Sequence, residues 1–272
     1  MSALPQAPAP EVALCAQGLN RSFGGLKATS DVSFDVAAGS ITALIGPNGA
    51  GKTTLFNLIT NIFPPHSGTV SYFGTSLAGW SPNRIAAAGL IRTFQSARVF
   101  PGMTALENIL VGRHRLNKAT ILGQMLRTPF ARGEEQARVR RAEELLDLIG
   151  LAAERDTNAM ELPMGSQKLL DVARALMARP RVLLLDEPAA GLNDSETAEL
   201  SDLLLAIRAS GITVLIVEHN MSLVMNVADQ VIVLEAGKLI AHGTPAAVQA
   251  DERVITAYLG AAEASPDEGT AS

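Results

Sequence analysis

The sequence predicts an α/β fold, a mainly parallel sheet with a helical lobe inserted between its strands, and three observations predict it. Four short runs rich in Val, Ile and Leu, "SITALIG", "RVLLLDE", "GITVLIVEH" and "QVIVLEAG", are each bounded by turn or polar residues. That is the pattern of parallel strands covered on both faces. A glycine-rich loop, "GPNGAGKT" at 46–53, follows the first run and precedes "TLFNLIT". The stretch from about 104 to 179 has no comparable strand run but holds "EEQARVRRAEELLDLIGL", with charges on one face and Leu145, Leu146, Leu148 and Ile149 on the other. It reads as helical.

Composition narrows the class. A chain of 272 residues, 47% hydrophobic and 18% charged, is long enough for a well-buried core. With 22 Lys and Arg against 27 Asp and Glu, the net charge of −5 gives no footprint for sequence-independent binding of nucleic acid, which is not an expected partner. The one cysteine, Cys15, excludes an internal disulfide framework and suits a reducing compartment. No apolar run approaches the roughly 20 residues of a bilayer span, and "MSALPQAPAP" lacks the layout of a signal peptide. A cytoplasmic chain is expected, serving a membrane only by docking to another protein. Residues 1–10, rich in Pro and Ala, and the small acidic tail 261–272 can bury little apolar surface. Both are expected to be flexible, flanking a domain at 11–260.

Taken in order, the loop at 46–53 fits G-x-x-x-x-G-K-[ST] in the strand–loop–helix context that this motif requires. Glycines at 46, 49 and 51 let backbone N–H groups turn inward on a triphosphate. The helix dipole adds partial positive charge, Lys52 reaches the β and γ phosphates, and the Thr53 hydroxyl ligates Mg²⁺. Gln95, in "RTFQSARVF", has no role legible from its neighbours alone.

"ELPMGSQKLLDVAR" at 161–174 opens a helix whose Leu169, Leu170, Val172, Ala173, Leu176 and Met177 recur at helical spacing. Pro163 fits its first turn. Taken alone the stretch reads as an ordinary helix start, although Gly165 costs a helix about 1 kcal/mol relative to Ala unless something must come close to the backbone there. "RVLLLDE" delivers Asp186 and Glu187 to the carboxyl edge of the sheet, where such sheets bind ligands. Asp186 can hold magnesium through its water shell. Glu187, without a partner cation in sequence, can orient and polarise an attacking water. His219, ending "TVLIVEH", reaches the same edge and can contact a γ-phosphate.

The order of phosphate loop, Gln95, helix start, Asp186–Glu187 and His219 resembles that of the ABC-transporter ATPase domain, over about 13–260. The resemblance implies a P-loop NTPase core with an inserted helical subdomain at about 104–179, and ATP with Mg²⁺ as cofactors. It implies nucleotide contacts from Gly46, Pro47, Asn48, Gly49, Ala50, Gly51, Lys52, Thr53 and Thr54, from Gln95, which also reaches the metal, and from Phe23 stacking on adenine. In that family the helix start is a signature motif, usually L-S-G-G-Q, which closes over the nucleotide of the opposite subunit. Counting back from "ARAL", the matching residues are Leu162, Pro163, Met164, Gly165 and Ser166, of which Leu162 and Gly165 keep the usual identity. Asn193 stands where most families place the aspartate of the loop between subunits.

Within the group, "RSFGGLKA", "IRTFQSARVFPGMTALENILVGRH", "DEPAAGLN", "VEHNMSLVM" and "ITAYLG" look like the ATP-binding subunit of branched-chain amino acid importers. That implies an ATP-hydrolysing motor for such solutes at the cytoplasmic face of the membrane. Its partners would be a second ATPase subunit, identical or related, permease subunits and, indirectly, a periplasmic or extracellular solute-binding protein. "LIAHGTP" and "YLG" also resemble the ATPase of a lipopolysaccharide exporter, which usually keeps a fuller signature. Soluble ABC ATPases tend to carry two phosphate loops or a long coiled-coil insert, absent here, and a P-loop kinase would leave Gly165 unexplained.

Overall fold

The computed structural model describes residues 11–93, 99–112 and 129–263. Two long strands open it, β1 (Val12–Phe23) and β2 (Leu26–Ala37), paired antiparallel from Val12↔Ala37 to Phe23↔Leu26 with several bulges. β3 (Ile41–Ile45) then starts a second sheet, and the loop after it leads into α1 (Lys52–Ile59). β4 (Ser67–Tyr72) returns to β1, and β5 (Thr75–Ser76) completes a four-stranded sheet in the order β2-β1-β4-β5. All the paired strands of this sheet run antiparallel.

After α2 (Pro82–Ala87), β6 (Leu90–Arg92) forms one edge of the second sheet. The helices α3 (Ala105–Val111), α4 (Pro129–Leu148) and α5 (Met164–Met177) follow, separated from β7 (Val182–Asp186) by a short turn. From there strand and helix alternate through α6 (Asp194–Ala209), β8 (Thr213–Val217), α7 (Met221–Val227) and β9 (Gln230–Glu235). β10 (Lys238–Gly243), α8 (Pro245–Gln249) and α9 (Glu252–Glu263) close the described chain. α9 thus runs past the domain boundary expected at 260.

The second sheet has six strands in the order β10-β9-β3-β8-β7-β6. All are parallel except β10, which pairs antiparallel with β9. The sheet explains why its apolar runs do not alternate with polar residues. Ile41, Ala43, Leu183, Leu185, Val214 and Ile216 face a core shared with α3 to α7, whereas Leu44, Val182, Leu184, Leu215 and Val217 face α1 and the antiparallel sheet. With both faces covered, successive positions are apolar, and the exceptions in β3, β7 and β8 are Thr42, Asp186 and Thr213.

Local chemistry sets the helix ends. Thr104 and Glu107 exchange side-chain to backbone hydrogen bonds at the start of α3, and Asn193 and Glu196 do the same at the start of α6. In α4 the buried stripe is Ala142, Leu145 and Leu146, continued by Ile149 just beyond the helix. Leu148, expected on that stripe, is 46% exposed. At about 100° per residue it falls well to one side of the other four. Pro163 sits one position earlier than expected, capping α5 in extended backbone at φ −52° and ψ 153° rather than inside the first turn.

Candidate functional site

The phosphate loop owes its shape to two glycines crowded by neighbouring strands. Gly46 has φ +146°, and a Cβ there would lie 2.1 Å from the carbonyl oxygen of Leu234 in β9. Gly51 has φ +102°, and its Cβ would lie 2.3 Å from the carbonyl oxygen of Ala28 in β2. No other residue type fits either place. Pro47, Asn48 and Gly49 form the outer arc, and Ala50 is buried, its carbonyl accepting from Gly237 N–H at 3.0 Å. Lys52 closes the loop on itself, its Nζ donating to the carbonyls of Gly46 at 2.6 Å and Pro47 at 3.0 Å. Burial holds the Lys52 pKa down, and the charges of Glu187 and Asp186 partly restore it. Glu187, which has no cation beside it in sequence, therefore has Lys52 near it in the fold. Thr53 is exposed and Thr54 half-buried on the first turn of α1.

Register brings the acidic pair and the histidine to this loop. Asp186 pairs with Val217, and Val217 pairs with Leu44, one row across three parallel strands. The residues just beyond that row are Glu187, Glu218 with His219, and Ile45 with Gly46, all at one edge of the sheet. Asp186 is buried and takes a hydrogen bond from Arg92 Nη2 at 2.9 Å as part of an ion pair. Arg92 also donates to Asn57 Oδ1 on α1 at 2.6 Å, so it ties the acidic strand to the helix behind the phosphate loop. The sequence reading missed Arg92, whose only signal is that it closes the short run "GLIR". His219 is exposed, and its backbone N–H donates to Glu218 Oε2 at 3.0 Å.

Phe23 ends β1, 45% exposed, and so is not a core residue. It meets Phe63 edge to face at 5.4 Å between centroids, and the Arg21 guanidinium lies 5.1 Å from its ring centroid. Since Ala28 abuts Gly51, the Phe23–Leu26 turn stands near the phosphate loop. Gln95 lies outside the described residues.

The helix start at 163–166 leaves Pro163 and Met164 exposed, Met164 at 60%, with Gly165 buried behind them and Ser166 half-buried. The group that comes close to the Gly165 backbone belongs to the same chain. Gly165 N–H donates to Glu196 Oε1 at 3.2 Å, and a Cβ on residue 165 would lie 2.4 Å from that oxygen. The other oxygen of Glu196 accepts from Asn193 N–H at 3.0 Å. One carboxylate thus brings the start of α5 and the exposed Asn193 together.

Comparison with known proteins finds relatives over most of the chain. A family model described as "ABC transporter" matches residues 29–190, and one described as "Branched-chain amino acid ATP-binding cassette transporter" matches residues 238–264. The high-affinity branched-chain amino acid transport ATP-binding protein BraF of Pseudomonas aeruginosa is 41% identical over 246 residues, 90% of this chain and 96% of its own. The corresponding LivG of Salmonella typhimurium is 41% identical over 250 residues, 92% of this chain and 98% of its own. Among solved structures, the ADP conformation of an ATP-binding cassette of an ABC transporter is similar at TM-score 0.79 and 32% identity, covering 92% of this chain and 99% of that one.

Proposed function

The chain belongs to the ABC transporter family of ATP-binding proteins, and on that footing we propose that it is the ATP-hydrolysing motor subunit of an importer for branched-chain amino acids or related small polar solutes. The observation that carries the proposal is the row Asp186–Val217–Leu44, which sets Asp186, Glu187 and His219 beside the loop at 46–53. The match of residues 238–264 to the branched-chain model favours an importer over a lipopolysaccharide exporter.

In this reading the loop from Gly46 to Thr54 cradles the phosphates, Lys52 swings from the Gly46 and Pro47 carbonyls to the β and γ oxygens, and Phe23 offers its exposed face to adenine. Glu187 takes the proton of the attacking water and His219 contacts the γ-phosphoryl group. The donor set of Thr53 hydroxyl and buried Asp186 carboxylate, with Gln95 as a further ligand, fits a hard cation that keeps waters and phosphate oxygens. Magnesium, when bound, supplies charge that offsets the γ-phosphoryl oxygens. The exposed Pro163, Met164 and Asn193, with Ser166 and the buried Gly165 behind them, would face the nucleotide of a second ATPase subunit. ATP then joins two subunits and its hydrolysis releases them.

The helices between 104 and 179 act as a subdomain that meets the permeases. A cavity of about 420 Å³ between β6, α3 and α5, lined by Arg92, Thr93, Phe100, Gly112, Asp171 and Arg174, gives such a partner a recess to enter. The subunit would work at the cytoplasmic face of the membrane, with a solute-binding protein on the other side. Replacing Glu187 by Gln tests the core of this reading. ATP affinity should stay within about threefold of the parent, while kcat should fall by about 10²–10⁴, the usual worth of a general base. Hydrolysis at the parental rate would remove Glu187 from that role.

A further inference from the structure

We propose that Lys168 and Glu218 are positioning residues for hydrolysis, clamping the main chain at 187–190 and thereby tying the Gly165 helix to the edge that presents Glu187. The proposal rests on the reading of Glu187 as general base.

Glu187 adopts φ +50°, a left-handed backbone that is strained for a side-chain-bearing residue and persists where its surroundings over-determine it. Here they do so residue by residue. Glu187 N–H donates to Val217 O at 2.9 Å. The Pro188 carbonyl accepts from Lys168 Nζ at 3.1 Å. Ala189 N–H donates to Glu218 Oε1 at 2.7 Å. The Ala190 carbonyl again accepts from Lys168 Nζ. Four consecutive residues are held, two of them by one ammonium and one by a carboxylate.

Both clamping groups are buried, Lys168 at 8% exposure and Glu218 at 0%, where an ionised group persists only if it is paired and hydrogen-bonded. Burial lowers the Lys168 pKa, and the charges of Glu218, then Glu187 and Glu196, oppose that shift. The second oxygen of Glu218 accepts from His219 N–H at 3.0 Å and Asn220 N–H at 3.2 Å, so the same carboxylate also fixes the backbone that offers His219. Lys168 lies on α5 one turn after Gly165. A shift of that helix when Gly165 engages a nucleotide would pull directly on the carbonyls either side of Ala189.

The test compares Lys168→Met, Lys168→Arg, Glu218→Gln, Glu187→Gln and the Lys168→Met/Glu187→Gln pair in the full-length chain, reading kcat, KM and ATP affinity. Lys168→Met should lower kcat by about a hundredfold, the cost of misplacing a catalytic group by about 1 Å, with ATP affinity changed less than about threefold. Lys168→Arg should recover kcat to within about tenfold of the parent, since its fork can still reach two carbonyls. Added to Glu187→Gln, Lys168→Met should cost nothing further, because the group it positions is gone. A parental kcat for Lys168→Met, or losses that multiply in the pair, would overturn the proposal. If Lys168→Met does not fold, Glu218→Gln decides. With one acceptor oxygen in place of two, the amide cannot serve both the Ala189 N–H and the His219 and Asn220 N–H groups, so kcat should fall at least about tenfold with affinity kept, and an unchanged kcat overturns the clamp. Should Glu187→Gln alone hydrolyse at the parental rate, the base assignment fails and the clamp falls with it, by a result distinct from those that sink Lys168.

Discussion

At residue 46 the absence of a side chain decides whether the phosphate loop can form. Alanine there would place a methyl group 2.1 Å from a β9 carbonyl at φ +146°, whereas at Gly49, φ +79°, a Cβ meets nothing within 4 Å. Gly49→Ala should therefore cost only the left-handed strain, about 1–2 kcal/mol. Gly46→Ala must also move a buried strand and should cost about 3 kcal/mol or more. Urea unfolding of both variants checks this, and equal losses would mean that Leu234 yields easily. Single residues differed in how well the sequence announced them. Lys52, Asp186, Glu187 and His219 stand at fixed offsets from apolar runs, so a strand reading places them. Arg92 acts through Asp186 at a separation of 94 residues, and Glu218 through Ala189 at 29. Only strand order makes such pairs neighbours, and strand order has no local signature. Glu196 was equally silent, since its tie to Gly165 spans 31 residues.

Among elements, those with uniform burial were the legible ones. β3, β7 and β8 are buried at every position, which concentrates Val, Ile and Leu into runs that polar flanks delimit. β1 and β2 are each 12 residues long, yet they carry Asn20, Arg21, Ser30, Asp31 and Asp35 and are interrupted by bulges that break the period of two. The antiparallel sheet was accordingly not read from sequence at all, and neither was the three-residue β6. α4 shows the opposite error, an element correctly typed but with one leucine assigned to the wrong side. Leu145 is fully buried and Leu148 is 46% exposed. Leu145→Ala should destabilise the chain by about 2–5 kcal/mol, the range for an emptied core site. Leu148→Ala, which loses a little burial and gains helix propensity, should stay within about 0.5 kcal/mol of the parent. Comparable losses in chemical denaturation would put Leu148 back on the packed face.

For the whole molecule, the proposed membrane role depends on how the chain attaches. No helix among the described residues is long and apolar enough to cross a membrane. The recess beside β6 brings Phe100 together with the ion pair of Asp171 and Arg174, where burial raises the Asp171 carboxyl against the pull of Arg174. A recess lined by apolar side chains and this ion pair suits insertion of a protein segment, since docked side chains supply both contact area and hydrogen bonds that water otherwise provides. Attachment should then follow the permeases rather than the lipid. Expressed alone, the chain should remain in the supernatant after high-speed centrifugation. Co-expressed with its permeases it should sediment with membranes, and widening the pair to Asp171→Ala/Arg174→Ala should return it to the supernatant while ATP binding at the loop 46–53 persists. Sedimentation of the chain alone would contradict docking through permeases. Retention of the double variant on permease-containing membranes would place the docking surface elsewhere on the helical elements.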